Sequence, residues 1–85
     1  MRQALDFLQS EIRGVVRTVR PYQIHGARFY ELGLALEGDP PDTVRRVRVS
    51  DNLAYRDPQP GDAVRVAFVM GNVLRIAKDA GGVGS

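Results

Sequence analysis

The sequence predicts a small all-β domain, five strands curling into a closed or partly open barrel behind a short N-terminal helix. Three observations carry this. Residues 12–20, 27–37, 43–50, 63–70 and 73–78 are rich in β-branched and apolar residues, and most alternate with polar ones at the two-residue period of a strand. Pro21, the GDPPD run at 38–42, the proline-rich stretch 51–62 and Gly71-Asn72 punctuate them as turns and loops. Only the first eleven residues carry a helical rhythm. The 85-residue length suffices for one hydrophobic core. Residues 1–79 are therefore expected to form one domain, with a helix over 2–10, and 80–85 to be a flexible tail.

In MRQALDFLQSE, Ala4, Leu5 and Leu8, continued by Ile12, make one apolar stripe, marginal as a helix without packing. The first strand, IRGVVRTVR, holds Gly14, which suits a bulge or sharp bend. PYQIHG then reads as a loop closing on Gly26. In ARFYELGLALE, Tyr30, Leu32, Leu34 and Leu36 are expected inward, with Phe29, Glu31, Gly33 and Ala35 on the other side. The third strand, TVRRVRVS, turns Val47 and Val49 inward and Arg46 and Arg48 outward. In the fourth, Val64, Val66, Phe68 and Met70 are expected inward. Gly71-Asn72 fits a two-residue hairpin turn, and the fifth strand places Leu74 and Ile76 inward. An open five-stranded sheet would leave two edges exposed to pairing with other chains, and closing into a barrel removes them.

Two segments resemble the OB-fold superfamily, in particular its small single-stranded nucleic-acid-binding members. IRGVVRTVRPYQIHGARFYELGLAL (12–36) is similar to a first strand containing glycine, a polar loop and a long second strand. PGDAVRVAFVMGNVLRIAKD (60–79) is similar to the fourth strand opening on Gly-Asp and its hairpin to the fifth. Together they cover roughly half of the chain. The resemblance implies an OB barrel whose second and third strands bind oligonucleotides, an SH3-like barrel being the alternative. The chain departs from it in lacking Trp, in having no full helix before the fourth strand, and in its minimal last hairpin loop.

Composition narrows the chemistry. Cysteine is absent and His25 is the single histidine, which excludes disulfides, thiolate chemistry and His-cluster metal sites. No serine sits in a nucleophile-elbow context, and Asp39, Asp42, Asp57 and Asp62 occupy turns, where Asp bonds the local backbone. The expectation is a non-catalytic protein without cofactor or metal. No apolar run reaches the roughly 18 residues of a membrane span, and no secretory signal pattern opens the chain, so a cytoplasmic, non-membrane protein is expected.

Twelve basic residues against ten acidic leave a net charge of +2, too small to imply nucleic acid by itself. The distribution is more telling. Eleven of the twelve cations are Arg, a bias that a G·C-rich genome would equally produce. Arg13, Arg17, Arg20 and Arg28 fall in a stretch without acids, and Arg45, Arg46, Arg48 and Arg56 accompany Asp51 alone. Alternation puts Phe29, Glu31, Arg46 and Arg48 on one exposed face, with Arg20, Tyr22, His25 and Arg28 in the loop beside it. The candidate nucleic-acid-binding residues are therefore Arg20, Tyr22, His25, Arg28, Phe29, Arg46 and Arg48, with rings stacking bases and guanidiniums taking phosphates. The alternative expectation is a protein-interaction or assembly subunit that uses the barrel surface for homo- or hetero-oligomerisation, through Val15, Val69 and Val73.

Overall fold

The computed structural model describes residues 9–79. Five strands follow in chain order: β1 (Gln9–Ile24), β2 (Ala27–Leu36), β3 (Arg45–Ser50), β4 (Ala63–Val69) and β5 (Asn72–Lys78), with a 3-10 turn at Asp51–Leu53. They form one antiparallel sheet in the order β3-β2-β1-β4-β5. Most of the expected helix lies outside the described residues; its last two positions, Gln9 and Ser10, instead open β1 opposite Val69 and Phe68.

The architecture turns on the sixteen-residue β1. Its first half, Gln9–Val15, pairs with β4, and Gly14–Ile24 pairs with β2. The two ladders overlap at Gly14 and Val15, and at Gly14 the backbones crowd. A Cβ there would lie 2.7 Å from both the Ala35 carbonyl oxygen and Leu36 Cδ2, so the position admits only glycine without movement. Beyond it the register slips between Val16 and Thr18, Arg17 being the extra residue of a bulge.

Pairing continues through Pro21, which lies opposite Tyr30, down to a turn at His25-Gly26 with φ of 50° and 82°. The segment read from sequence as the loop PYQIHG is therefore the end of a hairpin. Proline is tolerated here because β4 has left β1 by this point, and β1 has become an edge strand with no second ladder needing its N–H.

The core lies on one face of the sheet. Val16, Leu32, Leu34, Leu36, Val49, Val64, Val66, Phe68 and Ile76 are buried together, with Tyr30, Tyr55 and Val73 packed against them. The cluster joins Val49 of β3 to Ile76 of β5, so the sheet doubles over to bring its outermost strands to one core. No ladder joins β3 to β5, which remain the two edges of an open sheet. Of the expected closed or partly open barrel, the structure shows five antiparallel strands in an open sheet, without closure by continuous pairing.

Two inward assignments are corrected. Met70 is 75% exposed with φ 52°, and forms with Gly71 (φ 86°) the turn that sequence placed at Gly71-Asn72. Both central residues have positive φ, as the two-residue turn matching strand twist requires. Leu74 is 43% exposed because the β4–β5 register slips across it, from Ala67↔Arg75 to Phe68↔Val73, and Val73 takes the core position instead.

Candidate functional site

Register and alternation assemble the outer face of β1, β2 and β3 as three cross-strand rows. The first is Thr18, Gly33 and Arg46; the second is Arg20, Glu31 and Arg48; the third is Tyr22, Phe29 and Ser50. Residues two apart on a strand share a face, so these rows lie side by side on the surface opposite Leu32, Leu34 and Val49. The bulge at Arg17 makes this possible. Without the extra residue, Arg20 and Tyr22 would share the face of Val16, the core face.

In the third row the rings of Tyr22 and Phe29 stack, their centroids 5.4 Å apart and their planes 17° from parallel. Directly opposed side chains on neighbouring strands are within reach of such contact, and offset stacking is a preferred aromatic geometry. Ser50, opposite Phe29 on β3, completes the row with a small side chain.

In the second row Glu31 lies between two guanidiniums. Arg20 Nη1 approaches Glu31 Oε1 at 3.4 Å, and Arg48 Nε approaches Oε2 at 3.7 Å. The cations are open to solvent, with side chains 78% and 75% exposed, whereas the carboxylate is 19% exposed. Exposed pairs of this length contribute about 0–1 kcal/mol, so they orient the groups without committing the cations. Two cations against one anion leave the row positive. Arg46, in the first row, has no acidic partner among the described residues. Arg20, Tyr22, Glu31 and Arg48 line a hollow of about 250 Å³ on this face.

Five of the seven candidate residues from sequence therefore share the face: Arg20, Tyr22, Phe29, Arg46 and Arg48. The other two do not. Arg28 stands opposite Gln23 with the parity of Tyr30, and lines a separate hollow of about 340 Å³ with Tyr22, Gln23 and Phe29. His25 is the first residue of the hairpin turn. The central placement of Glu31 between Arg20 and Arg48 became visible only with the bulge, although the alternation of β2 had already set it beside Arg48.

Elsewhere the charged groups serve the fold. Arg65 is 3.7 Å from Glu11 and 3.6 Å from Asp79, which also approaches Arg13 at 3.8 Å. Arg45 reaches Asp39 at 2.9 Å. Tyr55 packs against the core and donates its hydroxyl proton to Asp62. Among the described residues no three His, Asp or Glu side chains are placed to hold a metal ion, and no helix is long and apolar enough to cross a membrane.

No protein-family model, curated protein or solved structure matches this chain. The chain is a small all-β domain built on a five-stranded antiparallel sheet.

Proposed function

We propose that this domain binds single-stranded nucleic acid without catalysis, on the outer face of β1, β2 and β3. The observation that carries the reading is the adjacency of a stacked aromatic pair, Tyr22 and Phe29, to the exposed guanidiniums of Arg20, Arg48 and Arg46. Bases stack on the rings, at about 1–3 kcal/mol per base in systems where this is tested. Phosphates run along Arg20, Arg46 and Arg48, with Arg28 extending the path at the hairpin. The strand order also supports an OB-type arrangement: a long first strand shared between a β2–β3 hairpin and a β4–β5 hairpin, whose outer strands approach each other.

Fluorescence anisotropy with a labelled single-stranded oligonucleotide tests the reading. Affinity is expected to fall steeply between about 50 and 200 mM salt, because each neutralised phosphate releases condensed counterions. Absence of binding at low salt overturns it.

A different observation favours a second reading, an assembly subunit. Met70 and Leu74 expose apolar surface on the last hairpin, beside the unpaired edge of β5. Val15, Val69 and Val73, the residues expected from sequence to serve this role, are only half-exposed, and Val73 packs on the core. Light scattering after size exclusion separates the two: a stable oligomer abolished by Leu74→Lys supports assembly.

A further inference from the structure

The second row of the outer face has a composition that phosphate binding alone does not explain. A carboxylate in the middle of a basic strip repels phosphates, yet Glu31 sits at the floor of the hollow with Arg20 on one wall and Arg48 on the other. The walls stand on β1 and β3, the strands flanking β2, hence about 10 Å apart at the backbone. A flat ring needs about 7 Å between two facing planes at contact distance. Guanidinium planes are stacking surfaces for bases. The hollow of about 250 Å³ lies below the roughly 300 Å³ at which drug-sized ligand pockets begin, the scale of one ring system.

A base entering this slot edge-first meets Glu31. An ionised carboxylate only accepts hydrogen bonds, and its two oxygens offer about four lone-pair sites. Arg20 draws on one oxygen and Arg48 on the other, so each keeps an acceptor site free. The two oxygens point in parallel and match two parallel donors, as they do in a bidentate Arg–carboxylate pair. Among the bases only guanine carries two adjacent donors on its pairing edge, the N1–H and the N2 amino group. Thymine and uracil present a single N3–H between two carbonyls, which the carboxylate repels. Cytosine and adenine present an amino group beside a ring-nitrogen lone pair.

We propose that Glu31 gives this face a preference for guanine, taking one guanine between Arg20 and Arg48 and accepting its N1–H and N2–H. Glu31 is thus a specificity residue in a surface otherwise governed by charge and stacking. The inference rests on the nucleic-acid reading above, and the experiment separates the two.

Anisotropy titrations at low salt use four labelled DNA strands of equal length: oligo-dT, oligo-dT with isolated guanines, the same strand with inosine at those positions, and the same with 7-deazaguanine. Inosine lacks only the N2 amino group, and 7-deazaguanine keeps the whole pairing edge. The guanine and 7-deazaguanine strands are expected to bind about tenfold more tightly than oligo-dT, with inosine losing most of that gain. Glu31→Gln and Glu31→Ala are expected to bind oligo-dT more tightly than the wild type, since a repulsive charge is gone, while the guanine advantage collapses. A merely structural role for Glu31 would weaken every strand alike. Equal wild-type affinity for guanine and thymine strands overturns the guanine inference and leaves binding itself standing, as does a guanine preference that survives Glu31→Ala. Failure of the wild type to bind any of the four strands overturns both readings.

Discussion

The Tyr55 hydroxyl donates a 2.6 Å hydrogen bond to Asp62 Oδ2, and the same oxygen accepts the Gln59 N–H at 3.0 Å. This closes the proline-rich loop between β3 and β4 on itself. The backbone then ties the loop to β1, since the Val16 N–H donates to the Asp62 carbonyl at 2.9 Å and the Gly61 N–H donates to the Val16 carbonyl at 2.7 Å. Gly61 turns the chain there with φ 95°, so in Pro-Gly-Asp each residue has a separate duty: stop, bend and latch.

The latch sets a pH dependence. The Tyr55 hydroxyl bond, then the Gln59 N–H, hold the Asp62 carboxyl below the ordinary carboxylate range. A depressed carboxyl contributes stability that is present above the unfolded value near 4 and is lost as pH falls through the folded one. Burial first, then the hydrogen bond to Asp62 and its charge, push the Tyr55 hydroxyl well above its usual range. Its contribution is present below about pH 10 and is lost as pH rises, because the unfolded chain ionises first. Tyr55→Phe is expected to lower Tm at neutral pH by roughly 5 °C. Subtracting its melting curve from that of the wild type, followed by circular dichroism, is expected to show a difference that shrinks below about pH 4 and above about pH 10.

Gly14 and Gly33 look alike in sequence, each a glycine inside a strand, but differ in what they face. A Cβ at Gly14 meets the Ala35 carbonyl oxygen, which the ladder fixes, whereas one at Gly33 meets the side chains of Thr18 and Val44, which can rotate. Gly14→Ala is expected to cost about 3 kcal/mol and Gly33→Ala about 1, in the range of overpacking changes. Urea denaturation distinguishes them, and equal costs would show that β1 and β2 can separate at the crossing.

Met70 carries an apolar side chain at a positive φ in a two-residue turn whose partner is Gly71. Asn tolerates that backbone better than an unbranched apolar residue and is favoured at the first position of such turns. Met70→Asn is expected to raise stability by about 0.5–1 kcal/mol. The same change removes the most exposed large apolar side chain among the described residues. Chemical denaturation reads the gain, and no gain would mean that the methionine packs on something in solution.

Alternation made the second and third strands legible, and with them Phe29, Arg46 and Arg48. A residue's face follows from parity as long as pairing is regular, which it is between β2 and β3. Bulges break that rule without a residue that announces them. One at Arg17 carried Arg20 and Tyr22 onto the site, and one at Leu74 put a leucine outside. Pro21 concealed the rest of β1, because a proline reads as a breaker unless the strand is known to have become an edge. Met70 continued the inward series Val64, Val66, Phe68, and only the turn's need for two positive-φ residues removed it from the core.

Charge and stacking on the outer face are separable by salt. Arg46, exposed and without an acidic partner among the described residues, contributes through phosphate alone in the proposed complex. Arg46→Ala is expected to weaken single-strand binding by about the same factor for every sequence and to lower the slope of log K against log salt by about 0.7, the release expected per phosphate contact on a single strand. Phe29 contributes through its ring, which stacks on Tyr22 and adjoins the small Ser50. Phe29→Ala is expected to cost about 1–3 kcal/mol of binding while leaving that slope unchanged. Its thermal stability changes little by comparison, since Phe29 lies outside the buried cluster. Titrations of the two variants at three salt concentrations measure both quantities, and a slope that falls equally in both would mean that the ring positions the cations instead of holding a base.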